Sequence, residues 1–251
     1  MPIPIALQLY SVRDDCAQDL LGTIDRVAKM GYNGIEFAGY HGHSAESLRK
    51  RLNDNGLACE GTHAGIATLE DDMFEETVAF HKELGCNWLI IPWLPEETRN
   101  TPDACKATGE KLTQIVEKLA AVGMKTGFHA HDGDMKPISD GKSAWDLIAM
   151  NTPSTFMMQY DTANGMAGGA DAVQPILNNP GRGQSVHLKE WSGEHGAKVI
   201  GEGMVPWKEV FQACETVGGT EWYVVEHESY EGMSPMEAVD ACLRNLRAMG
   251  K

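Results

Sequence analysis

The chain has 251 residues, with 36 Asp+Glu against 21 Lys+Arg and a formal net charge of −15. Its 42% hydrophobic and 23% charged residues are those of an ordinary globular protein and exclude disorder and low complexity. The acidic excess excludes a nucleic-acid-binding surface, which needs Lys and Arg to neutralise phosphate.

The chain opens with IPIALQLY, too short to cross a membrane and read as a strand. No charged segment followed by an apolar run precedes it, so no membrane association and a cytoplasmic location are expected. A repeated punctuation follows. DLLGTIDRVAKMG leads into YNGIEFA, SAESLRKRLNDNG into LACEGTH, MFEETVAFHKELG into CNWLIIPW, and EKLTQIVEKLAAVG into MKTGFHAH. Each first member has helical spacing of apolar residues, as in Ile24, Val27 and Ala28. Each ends at a glycine (Gly31, Gly56, Gly85, Gly123), where a helix terminus favours a left-handed residue. The second members are short apolar runs, as expected of strands covered on both faces.

The alternation continues through the helix SAWDLIAMN, the strand STFMMQYDT, the short helix ADAVQPILNN and the strand GQSVHLKE. It ends with the helix PWKEVFQACETVG, which has Pro206 near its first turn, the strand EWYVVEHE and the helix PMEAVDACLRNLRAMG. Eight strands and eight helices in a chain of this length predict an α/β fold, a (β/α)8 TIM barrel forming one domain over residues 1–251. A doubly wound open sheet is the rival, but no GxGxxG follows the first strand. The six cysteines (16, 59, 86, 105, 214 and 242) form no CxxC and read as buried, reduced thiols.

A barrel carries its active site at the C-terminal ends of its strands. The polar residues falling there are Gln8 and Tyr10, Glu36, His63, Trp93, His129 and His131, Asp161, His187 and Lys189, then Glu226 and Glu228. His129, Asp161, His187 and Glu226 each directly follow an apolar run, on four neighbouring strands. Two imidazoles and two carboxylates suit one divalent ion of the Mn, Fe, Co, Ni or Zn type. Taken singly, Asp161 also suits a helix cap and His187 a core histidine. His131 is read as orienting a ligand or substrate, and Glu228 shares the side of Glu226 by strand periodicity.

These segments together resemble the xylose isomerase-like sugar isomerase/epimerase superfamily of TIM barrels. The similarity runs from LQLYSVRDD and KMGYNGIEFAGY through GFHAHDGDM and YDTANGMAGGAD to RGQSVHLKE with GEGMVPW, and VVEHE. The resemblance implies one divalent ion, often Mn, Co, Mg or Zn. It carries the family's ligand positions onto Asp161, His187 and Glu226. Many sugar epimerases of the family have a glutamate at the end of strand five, where this chain has His129. One of the two carboxylates that pass protons across the substrate in those enzymes is therefore absent.

The expected activity is metal-assisted enolisation of a keto sugar. Glu226 is the first candidate base, and His131, Lys189, Glu36 or His63 returns or accepts the second proton. Lys189 could instead hold an oxyanion. Gln8, Tyr10, His63, Trp93 and Glu228 are assigned to substrate binding, Tyr10 and Trp93 as flat surfaces for a sugar. Reprotonation of the enolate makes the protein an isomerase or epimerase, the first expectation. Loss of a β-leaving group makes it a lyase or dehydratase acting on a 3-keto-glycoside or keto-inositol, the alternative. A non-catalytic sugar-binding or partner subunit is the third reading. A DNA-repair endonuclease of the same barrel type conflicts with the net charge. No basic or Gly-rich phosphate cradle is seen. Barrels of this kind often form homo-oligomers, but no sequence stripe marks such a face.

Overall fold

The computed structural model describes residues 2–193, 198–230 and 232–251. Eight parallel strands form the barrel: Ile5–Gln8, Gly34–Phe37, Ala58–His63, Trp88–Ile91, Lys125–His129, Met157–Gln159, Ser185–Leu188 and Trp222–Val225. They are called the first to eighth strands below. The first strand lies between the second and the eighth, with Leu7 opposite both Ile35 and Val225. The sheet runs unbroken around to the sixth strand on one side and the seventh on the other. Those two meet through a single parallel bridge, Asp161 to His187, and through His187 N–H donating to the Tyr160 carbonyl at 2.8 Å. The barrel is thus nearly closed, and its thinnest seam falls where two of the predicted metal ligands sit.

The strands are buried because helices cover them outside and side chains fill them inside. Leu7, Ile35, Phe37, Leu89, Phe128, Val186 and Val225 are wholly buried. The outer helices Arg13–Met30, Ala45–Asn55, Asp71–Leu84, Pro102–Ala121 and Pro235–Ala248 present their apolar stripes to this core. All four expected terminator glycines take positive φ (97°, 66°, 76° and 79°). Ser44 and Ser234 cap their helices by accepting N–H bonds from Ser47 and Glu237.

Three local features differ from the sequence reading. The first helix begins at Arg13 rather than Asp19, and Asp19 (φ −157°) is a kink within it. The Asp19 carboxylate accepts from Gly22 N–H at 2.9 Å, a cap inside the helix that gave the sequence its apparent start. A small hairpin, Pro137–Ser139 with Lys142–Ser143, interrupts the path from fifth strand to next helix. The segment after the sixth strand folds as two short helices, Thr162–Ala167 and Gln174–Leu177. The six cysteines are free thiols, all buried except the half-buried Cys59. Among the described residues, no helix is long and apolar enough to cross a membrane.

Candidate metal centre

His129 ends the fifth strand, Asp161 follows the sixth, His187 lies within the seventh and Glu226 follows the eighth. One donor atom from each lies within 4.8 Å of the other three, and all four residues are buried. His63 forms a second close set with His129 and His187. Its ring stacks on His187 with centroids 5.6 Å apart and lies 4.9 Å from His129.

Asp161 divides its oxygens. Oδ1 accepts from Asn164 N–H at 2.7 Å and so caps the helix Thr162–Ala167. Oδ2 is buried without a hydrogen-bond partner among the described residues. Cap and ligand candidate are therefore one residue. Burial, reinforced by the charge of Glu226 and opposed by Lys189, raises this carboxyl to about 7.

His187 is clamped by two carboxylates. Nδ1 lies 2.5 Å from Glu226 Oε2, and Nε2 lies 2.8 Å from Glu36 Oε2. Burial disfavours its charge, but Glu36 and Glu226 overcome this and raise its pKa well above the ordinary value. Glu226 lies well below the usual carboxylate range: burial works against ionisation, and Lys189, His187 and His129 outweigh it. His129 is pushed well below its ordinary value by burial and by its histidine neighbours, which keeps it neutral and fit to donate a lone pair.

Behind these residues lies a shell of fixed polar groups. Glu36 is fully buried, and its oxygens meet His187 at 2.8 Å, His63 at 2.8 Å and the Gln159 amide at 3.1 Å. Burial raises its pKa, but the His63 and His187 charges win and hold it at about 2. Gln159, absent from the sequence-based set, touches His63, His129, Glu36 and Ser185. It stands two residues before Asp161, so strand periodicity alone places it on the same side. Glu60, also absent from that set, is buried within the third strand.

On the open side, Lys189 is wholly buried, with Nζ 3.0 Å from Glu228 Oε2 and 3.2 Å from Asn164 Oδ1. Burial opposes its charge, but Asp161, Glu226 and Glu228 raise its pKa, so it is an ammonium. Burial and the charge of Glu226 raise Glu228. His131 meets His129 edge-on at 4.9 Å and has a buried Nδ1 without a partner among the described residues. Burial lowers it to about 4. Its backbone N–H donates to Asp134, which pairs with Arg99 at 3.1 Å. Gln8 is buried, its Oε1 taken by Tyr10 N–H at 3.0 Å. Tyr10 and Trp93 are exposed at 45% and 57%, so they stand at the rim rather than against the cluster.

The residues fit a divalent cation. The set comprises two imidazoles and two carboxylates, donor types that divalent transition ions take, and Asp161 Oδ2 is buried without a hydrogen-bond partner among the described residues.

Comparison with known proteins agrees with this architecture. The chain is 23% identical over 188 residues to inosose dehydratase of Geobacillus kaustophilus, covering 66% of this chain and 60% of that protein's length. It is 23% identical over 243 residues to inosose dehydratase of Geobacillus thermodenitrificans, covering 82% and 80%. A sugar phosphate isomerase/epimerase structure from Parabacteroides distasonis superposes with TM-score 0.84 at 23% identity, covering 99% and 95%. The family model described as xylose isomerase-like TIM barrel matches residues 24–249. The chain belongs to the xylose isomerase-like TIM-barrel family.

Proposed function

We propose that the protein is a divalent-metal-dependent enzyme that enolises a keto sugar or cyclic polyol ketone and expels water by loss of the hydroxyl on the carbon β to the ketone. The observation that carries this reading is the make-up of the cluster. His129 stands where the family resemblance places a carboxylate in many sugar epimerases, which leaves Glu226 as the carboxylate base of the set, with the Lys189–Glu228 pair (3.0 Å) as further proton-carrying groups. Elimination needs a single carboxylate base at the carbon that loses its proton, whereas two-carboxylate epimerisation needs two. The two curated inosose dehydratases are relatives with this reaction class in their names.

The cation is assigned to His129, Asp161, His187 and Glu226, and when bound it supplies Lewis acidity toward a ketone oxygen. The chain's own residues do the rest. Glu226, held ionised, takes the proton from the carbon beside the ketone. Lys189, held as an ammonium, stabilises the negative charge that develops. Glu228, 3.0 Å from Lys189 and with its pKa raised by burial and by Glu226, is assigned as the general acid, which in its protonated form delivers a proton to the departing hydroxyl as the C–O bond breaks. The products are an α,β-unsaturated ketone and water. His131, whose Nδ1 has no hydrogen-bond partner among the described residues, is assigned to a substrate hydroxyl. Glu36 and His63, both engaged in hydrogen bonds behind the cluster, act through His187 rather than on substrate. Tyr10 and Trp93 border the entrance.

Incubation of the metal-loaded protein with inososes and with free ketohexoses in deuterated water tests the proposal. A product lighter by one water, with enone absorbance, is expected. A deuterated product of unchanged skeleton and no water loss would instead establish the isomerase or epimerase reading. Absence of bound divalent metal in the wild-type protein would leave only a sugar-binding role.

A further inference from the structure

We infer that Gln159 is a positioning residue of the metal centre: it carries the polarity of the buried Glu36 carboxylate to His129 and fixes that ring as the Nδ1–H tautomer. This rests on the metal reading of the cluster, but its central observable does not require the metal.

An ionised carboxylate only accepts hydrogen bonds. Three groups face that of Glu36: His187 Nε2 at 2.8 Å, His63 Nε2 at 2.8 Å and the Gln159 amide at 3.1 Å and 3.3 Å. Each must therefore turn an N–H toward it. For His187 this puts a proton on Nε2, so that of its two nitrogens only Nδ1, 2.5 Å from Glu226 Oε2 and 3.9 Å from Asp161 Oδ2, can turn a lone pair to a cation. For Gln159 it fixes the amide so that NH2 faces Glu36 and Ser185 Oγ (2.9 Å). The amide oxygen is then left facing His129 Nδ1 at 3.1 Å and His63 Nε2 at 3.2 Å.

An amide oxygen also only accepts, so His129 Nδ1 must carry its proton. Its lone pair then sits on Nε2, the nitrogen 3.9 Å from Glu226 Oε2 and on the side of the proposed cation. Both donor and both acceptor positions of Gln159 are used, and the residue is wholly buried. One carboxylate thus sets both imidazoles, His187 directly and His129 through a side chain that donates at one end and accepts at the other. A carboxylate or an apolar side chain at position 159 cannot do both.

The test uses the full chain with 15N-labelled histidine. The His129 tautomer is read by NMR in the metal-free protein, and Co2+ affinity is read by calorimetry. Wild type is expected to show a single Nδ1–H form of His129. In Gln159→Met, similar in volume, that form gives way to a mixture or to Nε2–H, and Co2+ binds about 10- to 100-fold more weakly. In Glu36→Gln, the Gln159 amide is free to turn, and His129 again loses its single tautomer. Should one variant fail to fold, the other decides. A wild-type His129 protonated on Nε2, or an unchanged Nδ1–H form in a folded variant, overturns the inference. Failure of wild type to bind Co2+ overturns the proposed function, while the tautomer result still decides the role of Gln159.

Discussion

Asp161 shows how one short side chain serves fold and site together. Its Oδ1 caps a helix and its Oδ2 lies 3.9 Å from His187 Nδ1, another of the proposed ligands. The two roles separate by substitution. Asn caps helices as well as Asp, whereas Ala costs about 1 kcal/mol at such a position. Asp161→Asn is therefore expected to keep the thermal stability of the metal-free protein, and Asp161→Ala to lower it. Both should lose divalent-metal binding, measured by calorimetry. Equal metal affinity in Asp161→Asn and wild type would remove Asp161 from the ligand set. Glu60 makes a second prediction at this scale. Burial, with the charge of Glu36 and against the Ser185 hydroxyl, raises its carboxyl from 4.5 to about 8. A folded-state value above the unfolded one means that the neutral form is favoured in the fold. That contribution is complete below about pH 4.5 and is lost as the pH rises through 8, at about 1.4 kcal/mol per pKa unit. Glu60→Gln should thus match wild type in urea melts near pH 4.5 and exceed it above pH 8. A mutant no more stable than wild type at pH 9 would contradict the assignment. The four proposed ligands were legible in the sequence because each ends an apolar run. Gln159 and Glu60 were not, because within a strand an amide or carboxylate carries no mark of which neighbour crosses the barrel to meet it.

At the level of elements, the glycine terminators and helical periodicity were enough to place the strands and most of the helices. The failures are local and physical. Asp19 imitates a helix start because it caps the backbone within a kinked helix. The hairpin at Pro137–Ser143 has strands of three and two residues, too short for periodicity to register. Another feature invisible in the sequence is the anchoring of the connection that follows the seventh strand. The buried Glu190 carboxylate accepts from Trp191 N–H, Gly201 N–H, Val205 N–H and the Trp207 indole. Gly203 lies so close that a Cβ there would sit 2.5 Å from Glu190 Oε1. Glu190→Ala leaves these donors without their acceptor, at about 1–3 kcal/mol for each that stays buried. It should lower the melting temperature by several degrees, at about 2–4 °C per kcal/mol for a chain of this size. Because this anchor begins one residue after Lys189, kcat/KM should fall as well. A variant with unchanged melting temperature would show that water replaces the carboxylate without cost.

At the scale of the whole molecule, eight β-α units occupy nearly the entire chain, so substrate recognition falls to the loops around one mouth. The net charge of −15 belongs mostly to a solvated exterior, whereas Asp161 and Glu226 face inward to the proposed cation. The barrel seam gives this placement a mechanical consequence. The sixth and seventh strands meet through the single bridge between Asp161 and His187, and both residues belong to the candidate ligand set. A cation held by these two side chains and by residues of the fifth and eighth strands would tie the seam from both sides. Binding to the folded state alone stabilises it by RT ln(1 + [L]/Kd), about 2.7 kcal/mol at a hundredfold excess over Kd. Metal addition should therefore raise the melting temperature in proportion to the logarithm of its concentration. Hydrogen exchange should slow most at the seam, where His187 N–H bonds to Tyr160 O and Met158 N–H to Arg182 O. The second and third strands lie across the barrel and contribute none of the four ligands, so their amides should gain only the global term. Equal protection in all eight strands would mean that the cation stabilises the barrel without acting through its seam.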